Sequence, residues 1–207
     1  MAKEAIRLRK GERISLSKFG KLNALMIGLG WVERKTVGVK FDLDASVFML
    51  NNKGKVPFGK ARYFVFYNQE EYKNKDDPTY NRCIVHQGDE QEGSEVSGSD
   101  VEQIMLDLTK IPPEVHELAV IVTIDEAEDR SQTFGQVDDA FIRLVNAETD
   151  EELLRFDLTE DSSGETAMIF AKIYRAGSKW KFAAVGQGHR AGFEDLVTQH
   201  GLEVEDD

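Results

Sequence analysis

Apolar residues in this chain recur at every second position, in one segment after another. Leu25, Ile27, Leu29 and Trp31 alternate with other residues, as do Phe41, Leu43, Ala45, Val47 and Met49. Leu118, Val120, Val122 and Ile124 repeat the pattern, followed by Ala167, Ile169, Ala171 and Ile173. A period of two places each set on one face of a β-strand, whereas a helix needs a period near 3.6. Tyr63-Phe64-Val65-Phe66-Tyr67 is aromatic at both parities, which predicts a central strand covered on both sides. Asn51-Asn52-Lys53-Gly54 and Ala176-Gly177-Ser178 read as hairpin-like turns. Helical spacing is clear only near the end, where Phe193, Leu196, Val197 and His200 share a face ahead of Gly201. Roughly ten short strands without long crossover helices predict an all-β fold, a two-sheet β-sandwich with a short C-terminal helix.

The 207 residues suffice to bury a substantial core, and neither a Pro/Ser-rich linker nor an internal repeat divides them. The expectation is a single domain over residues 1–207, with the basic segment 1–12 and the acidic tail 203–207 peripheral to it. A net charge of −12 argues against nucleic acid as a partner, because phosphates demand a basic footprint. That charge is uneven: residues 1–40 hold ten Lys/Arg against three acids, which leaves the remainder near −19. The single Cys83 cannot form an internal disulfide and fits a reducing compartment, where it reads as a small buried hydrophobe on a strand. The first residues lack an apolar run with a cleavage site, and no apolar stretch approaches the ~20 residues of a membrane span. A cytoplasmic protein not integral to a membrane is therefore expected.

Two segments point to chemistry. From His86 through Glu102 the chain carries six carboxylates and no Lys or Arg, punctuated by Gly88, Gly93 and Gly98. Acids that repel one another are held together in one ordered loop most readily by a cation. Calcium takes six to eight oxygen ligands from carboxylates and carbonyls, the latter supplied where glycine lets the backbone turn tightly. A solvated hairpin loop has the same composition. The second segment is Phe41-Asp42-Leu43-Asp44-Ala45-Ser46. If Phe41, Leu43 and Ala45 face the core, Asp42, Asp44 and Ser46 project from the other side, with the carboxylates ~7 Å apart at ~3.3 Å per residue. That spacing can flank a cation if another loop closes over it. An EF-hand is excluded, since Val47 stands where the loop needs glycine and Lys53 where it needs a bidentate Glu.

Other motifs carry less. Gly28-Leu29-Gly30 and Gly186-Gln187-Gly188 lack the third glycine of a dinucleotide fingerprint, and no Walker-type lysine motif is present. His86, His116, His189 and His200 have no zinc spacing, and His86 reads as a strand end rather than a general base. Asp125-Glu126-Ala127-Glu128-Asp129-Arg130 is a further acidic turn directly after a strand.

Ordered motifs run the length of the chain: Ile14-Ser15-Leu16-Ser17-Lys18, Gly28-Leu29-Gly30-Trp31, Phe41-Asp42-Leu43-Asp44-Ala45-Ser46 and Phe64-Val65-Phe66-Tyr67-Asn68-Gln69. They continue through Val85-His86-Gln87-Gly88-Asp89, Phe134-Gly135-Gln136-Val137, Ala140-Phe141-Ile142-Arg143, Glu165-Thr166-Ala167-Met168-Ile169-Phe170 and Val185-Gly186-Gln187-Gly188. Together they resemble the TerD family of tellurium-resistance and stress-response proteins. The resemblance implies a β-sandwich that binds Ca2+ at acidic loops, has no established catalysis and contains no catalytic residues. It also implies a cytoplasmic component of a tellurite and general stress resistance system that associates with soluble and membrane-bound partner proteins. Carried over residue by residue, the metal ligands are Asp42 and Asp44 from the strand, Asp89 from the loop entry, and Asp100 and Glu102 from its exit, with carbonyls near Gly93 and Gly98.

The chain departs from that family pattern at Lys40, where an acid is usual, and at Gly98-Ser99-Asp100, where the loop usually ends in Gly-Asp-Asp-Glu. Both changes remove ligand charge. A second reading follows: a metal-independent structural or interaction protein in which Lys40 replaces part of the ion's charge by pairing with Asp42 or Asp44. A metal-assisted hydrolase built on the acids and His86 is a third, and it would need an open pocket.

Overall fold

The computed structural model of the chain describes residues 4–32, 40–88, 98–158, 164–189 and 192–203. Strands β1 (Ile6–Leu8), β2 (Arg13–Ser15), β3 (Ala24–Val32) and β4 (Leu43–Leu50) come first, then β5 (Phe64–Val65), β6 (Ile84–His86), β7 (Glu102–Asp107) and β8 (Glu117–Ile124). A single helical turn, α1 (Ala127–Arg130), leads to β9 (Asp138–Asn146), β10 (Glu151–Asp157), β11 (Ala167–Ala176) and β12 (Lys179–His189). Helix α2 (Gly192–Gln199) follows. The described strands form two six-stranded sheets, ordered β1-β10-β9-β3-β7-β6 and β2-β12-β11-β8-β4-β5. This is the β-sandwich that the alternation predicts.

The inner faces supply the core. Leu25, Ile27 and Leu29 of β3 and Ile104 and Leu106 of β7 lie opposite Leu43, Ala45 and Val47 of β4, and all are at most 2% exposed. Ala45 pairs with Val122 and Val47 with Val120, so one face of β4 and β8 presents a continuous aliphatic surface. In β11 the simple alternation breaks. A bulge between Ile169 and Ala171 leaves Met168 beside Val122 but Ala171 beside Val120 and Ile173 beside Leu118. The extra residue moves the inward set from odd to even positions on one side of the bulge.

The aromatic segment departs from expectation. Only Phe64–Val65 is strand, and β5 is the edge of its sheet, not its centre. It is covered on both sides nonetheless: Tyr63 is wholly buried, while Phe64 stacks on Phe48 with ring centroids 4.1 Å apart beneath α2. Phe193 of α2 approaches Phe64 at 5.7 Å and His200 approaches Phe48 at 4.8 Å, with Leu196 and Val197 buried as the helical spacing predicts. The Ala176–Lys179 register closes the β11–β12 hairpin over Gly177, whose φ of 64° suits the turn. The basic N-terminal segment is less peripheral than its charge suggests, since Ile6–Leu8 pairs in parallel with Leu154–Phe156. Of the acidic tail, residues 204–207 lie outside the described part of the chain. No described helix is long and apolar enough to cross a membrane.

Candidate functional site

At one corner of the sandwich the edge of β4 meets the β6–β7 edge of the other sheet. β5 pairs only with Val47 and Phe48, so the backbone of Ala45, 2% exposed, faces that corner beyond the end of β5. A buried amide without a partner costs about 1–3 kcal/mol. Two side chains from the opposite sheet take the place of the missing strand. Glu102 Oε2 accepts the Ala45 N–H at 2.5 Å, and His86 Nε2 lies 3.0 Å from the Ala45 carbonyl oxygen. Gly88 N–H points at His86 Nδ1 at 3.3 Å, which makes Nδ1 the acceptor and Nε2–H the donor to Ala45. His86 Nε2 is 3.9 Å from Glu102 Oε2, and both side chains are fully buried. This is interior hydrogen bonding rather than an open catalytic dyad.

Asp100, two residues from Glu102, goes the other way. Val101 N–H bonds Leu29 O at 2.7 Å while Glu102 is the register partner of the same Leu29. Two residues therefore oppose one, and the Asp100 side chain emerges on the outer face of the first sheet above Gly28. A Cβ at Gly28 would fall 2.3 Å from Asp100 Oδ1, and one at Gly30 would fall 2.3 Å from Ser99 O, so both strand glycines make room for this crossing segment. There Arg143 of β9 grips Asp100 in a bidentate pair, Nε–Oδ1 2.6 Å and Nη2–Oδ2 2.8 Å. Glu152 holds the remaining side of the guanidinium at 3.1 Å. The Asp100 side chain is only 3% exposed. Hydrogen bonding to Asp100, ahead of the opposing desolvation, raises the Arg143 pKa and keeps it charged.

Asp42 and Asp44 sit apart from both. Asp42 O accepts the Asp125 N–H at 2.9 Å, and Asp44 is the register partner of Thr123. Asp44 lines an open cleft on the outer face of the second sheet together with Ser46, Asp125 and Glu126. The outward projection of Asp44 and Ser46 is thus the one the strand pattern predicts. Arg130 reaches Asp125 at 3.2 Å and Glu126 at 2.7 Å, so the acidic turn closes on its own arginine. The Lys40 carbonyl accepts from Gln132 Nε2 at 3.2 Å. Asp89 and Gly93 lie outside the described residues; Gly98 is described, with φ 88°. Cys83 is fully buried just before β6, and desolvation pushes its thiol up to about 12, which suits packing and not nucleophilic chemistry.

Three of the described sequence-predicted ligands lie at separate places. Asp44 faces out of one sheet, Glu102 lies between the sheets, and Asp100 faces out of the other. Among the described residues no three Asp, Glu, His or Cys side chains gather where they could hold one metal ion. The fit to calcium is partial: Asp42 and Asp44 are half-buried carboxylates near the start of β4, while Asp100 is held by Arg143 and Glu102 by the Ala45 amide. Sequence reasoning assigned no role to Arg143. Its signal was indirect, a glycine pair inside a strand that marks close approach of another segment.

The TerD domain model matches residues 4–200. General stress protein 16U of Bacillus subtilis (strain 168) is 41% identical over 201 residues, covering 96% of this chain and 98% of that protein. Tellurium resistance protein TerD of Serratia marcescens is 42% identical over 199 residues, covering 96% and 98%. Among solved structures, a TerD homologue from Streptomyces coelicolor A3(2) superposes with a TM-score of 0.63 at 19% identity, covering 83% of this chain and 93% of that one. At that identity the superposition speaks to the fold.

Proposed function

The chain belongs to the TerD family of tellurium-resistance and general stress proteins, and on that premise we propose that it is a non-catalytic, calcium-responsive binding module of such a system. Calcium would be held by Asp42 and Asp44 with Asp89, and the surface it orders would recognise a partner protein. Asp100 and Glu102 are left with Arg143 and Ala45. The observation that supports this reading is the tether of the residue that leads into the acidic run. The ring of His86, at the start of that run, is bonded to Ala45, the immediate neighbour of Asp44. If Asp89 approaches Asp42 and Asp44, the acids would repel, and a divalent cation would relieve the repulsion.

The test is thermal or urea denaturation in EDTA and in calcium. At about 100 times its dissociation constant, calcium should add about 2.7 kcal/mol. Asp42→Asn combined with Asp89→Asn should abolish the increment, and Glu92→Gln should matter less. A stability indifferent to both calcium and chelator sinks the proposal.

The bidentate Asp100–Arg143 pair favours a second reading, in which the acids are balanced by the chain's own cations and no ion is needed. Calorimetric titration of Lys40→Asp beside the parent chain separates the two. Tighter or additional calcium binding in the variant means the lysine blanks a site; no binding by either protein supports the metal-independent module.

A further inference from the structure

The loop between β4 and β5, residues 51–63, holds Lys53, Lys55, Lys60 and Arg62 and not one Asp or Glu, in a chain whose net charge is −12. On it stands Phe58, 75% exposed, where the next large apolar side chains, Ile6 and Tyr67, reach 38%. A lone apolar residue on a surface is ordinary. Phe58 differs because its backbone is left-handed, with φ 58° and ψ 15°. That region suits glycine or asparagine, and a bulky residue is held there only at a cost in conformational energy. The loop imposes it. Val56 and Pro57 are buried, Val56 N–H bonds the His200 carbonyl at 2.9 Å, and Lys60 N–H bonds the Pro57 carbonyl at 3.2 Å. Asn51 Oδ1 accepts the amides of Lys53 and Lys55 at 2.8 and 3.2 Å, which fixes the adjoining turn. The fold thus tolerates strain to hold an aromatic ring in water, a placement the core does not require.

The surrounding charge indicates what such a ring meets. Lys53 and Lys60 are exposed and, among the described residues, have no ion pair. Lys55 Nζ donates to the Gln199 carbonyl and keeps its charge. The β11–β12 hairpin adds exposed Lys179 at the same end of the sheet, since Leu50 and Tyr174 both pair with Glu117. Of the acids there, Glu117 pairs with Lys172 at 2.7 Å and Glu114 accepts the Tyr63 hydroxyl at 2.5 Å. Asp42, Asp125 and Glu126 belong to the other end of β4, where Leu43 pairs with Ile124. The eight residues of β4 separate the two ends by about 25 Å, roughly three Debye lengths at physiological salt. The tip is therefore locally cationic within an acidic chain. Lysine is depleted from protein–protein interfaces, whereas each lysine close to an anionic bilayer adds attraction. A protruding ring needs no preformed pocket in a fluid headgroup layer, where aromatic side chains settle.

We propose that the β4–β5 loop docks the protein on anionic lipid surfaces, with Phe58 entering the headgroup boundary and Lys53, Lys55 and Lys60 facing the phosphates. The inference goes beyond the calcium reading and shares no residue with it. Its test is run in EDTA, which also excludes calcium bridges between acids and lipid.

The full chain is sedimented with vesicles of equal phosphatidylglycerol and phosphatidylcholine, and with vesicles of phosphatidylcholine alone. Binding should be confined to the anionic vesicles and weaken as salt rises. Lys53→Gln and Lys60→Gln should each weaken it about fivefold. Phe58→Gly should weaken it about tenfold. That variant should melt no lower than the parent chain, because glycine adopts the left-handed backbone without strain. Glu203 lies two residues past Gly201, which sits beside Gly59 and Lys55, so Glu203→Gln should strengthen binding. In Phe58→Trp, emission should shift to the blue on anionic vesicles and be quenched by brominated acyl chains, with Trp31 and Trp180 of the parent chain as the background. Equal binding to both vesicles, or a Phe58→Gly variant that binds as the parent does, overturns the proposal. So does absence of vesicle binding; if a blocked acidic hexapeptide with two central leucines then shifts the Phe58 and Lys60 amides by NMR, the tip is a protein-docking site instead.

Discussion

Asp42-Leu43-Asp44 and Asp100-Val101-Glu102 carry the same acid–apolar–acid pattern, and the fold treats them in opposite ways. Around the first the strand is regular, so Asp44 stays on the outer face and opens onto a cleft. At the second, two residues oppose Leu29, and the acids part: Asp100 to the outside of its sheet under Arg143, Glu102 to the interior under the Ala45 amide. The difference teaches that acid spacing reports a shared face only along an unbroken strand. What an acid then does depends on which unpaired backbone or cation the neighbouring sheet offers it.

The strongest test of that contrast is Glu102→Ala. It removes the acceptor of a buried amide and unsettles His86, and should lower stability by about 3 kcal/mol in urea denaturation. The loss should be equal in EDTA and in calcium. A loss confined to calcium would make Glu102 a ligand after all and erase the contrast. Glu102→Gln, which retains an acceptor for Ala45, should recover part of the loss. Next comes Arg143→Met, expected to cost about 2 kcal/mol because it leaves a carboxylate that is 3% exposed with no cation and only the Gln103 amide as a donor among the described residues; the guanidinium itself is a quarter exposed, which tempers the figure. Pairing it with Asp100→Asn should cost less than the sum of the two single changes, the mark of a coupled pair.

Much of the fold was legible because burial on one side of a strand leaves a direct trace in sequence. Leu25, Ile27 and Leu29, and likewise Leu43, Ala45 and Val47, face the core as their alternation requires. The aromatic run at Tyr63–Tyr67 misled, because an edge strand covered by a helix on one face and the core on the other looks central by composition. The candidate site was legible in part. Asp44 and Ser46 project together as the pattern predicts, while Glu102 and Asp100 could not be placed from spacing. Their positions depend on a bulge and on contacts with Ala45 and Arg143, which lie 57 and 43 residues away in the chain. Such long-range pairings leave only faint local marks, here Gly28 and Gly30.

A smaller effect probes the other member of the comparison. Asp42→Asn with Asp44→Asn should change stability in EDTA by no more than about 1 kcal/mol, since both residues are only half-buried and Asn keeps the shape of Asp. The calcium increment, in contrast, should fall away. Equal losses with and without the ion would mean that these acids, like Asp100, serve the fold.

The smallest effect separates the two regions by pH. His200 is 4% exposed under Phe48, and its Nδ1 lies 2.9 Å from the Gly54 carbonyl oxygen. Desolvation lowers its pKa below the ordinary 6.5, opposed by that backbone bond, with Lys172, Glu117 and Lys55 as the nearby charges. The neutral ring therefore favours the fold. Its contribution is whole above 6.5 and declines as pH falls from there toward the lowered value, because the unfolded chain takes up the proton first. Between about pH 7 and 5, the protection of α2 amides, measured relative to their intrinsic exchange rate at each pH, should fall, while that of β7 around Glu102 holds. His200→Gln should flatten this part of the profile. If β7 loses protection in step with α2, the covered outer face and the interior corner open as one unit, and their contrast is one of chemistry alone and not of local stability.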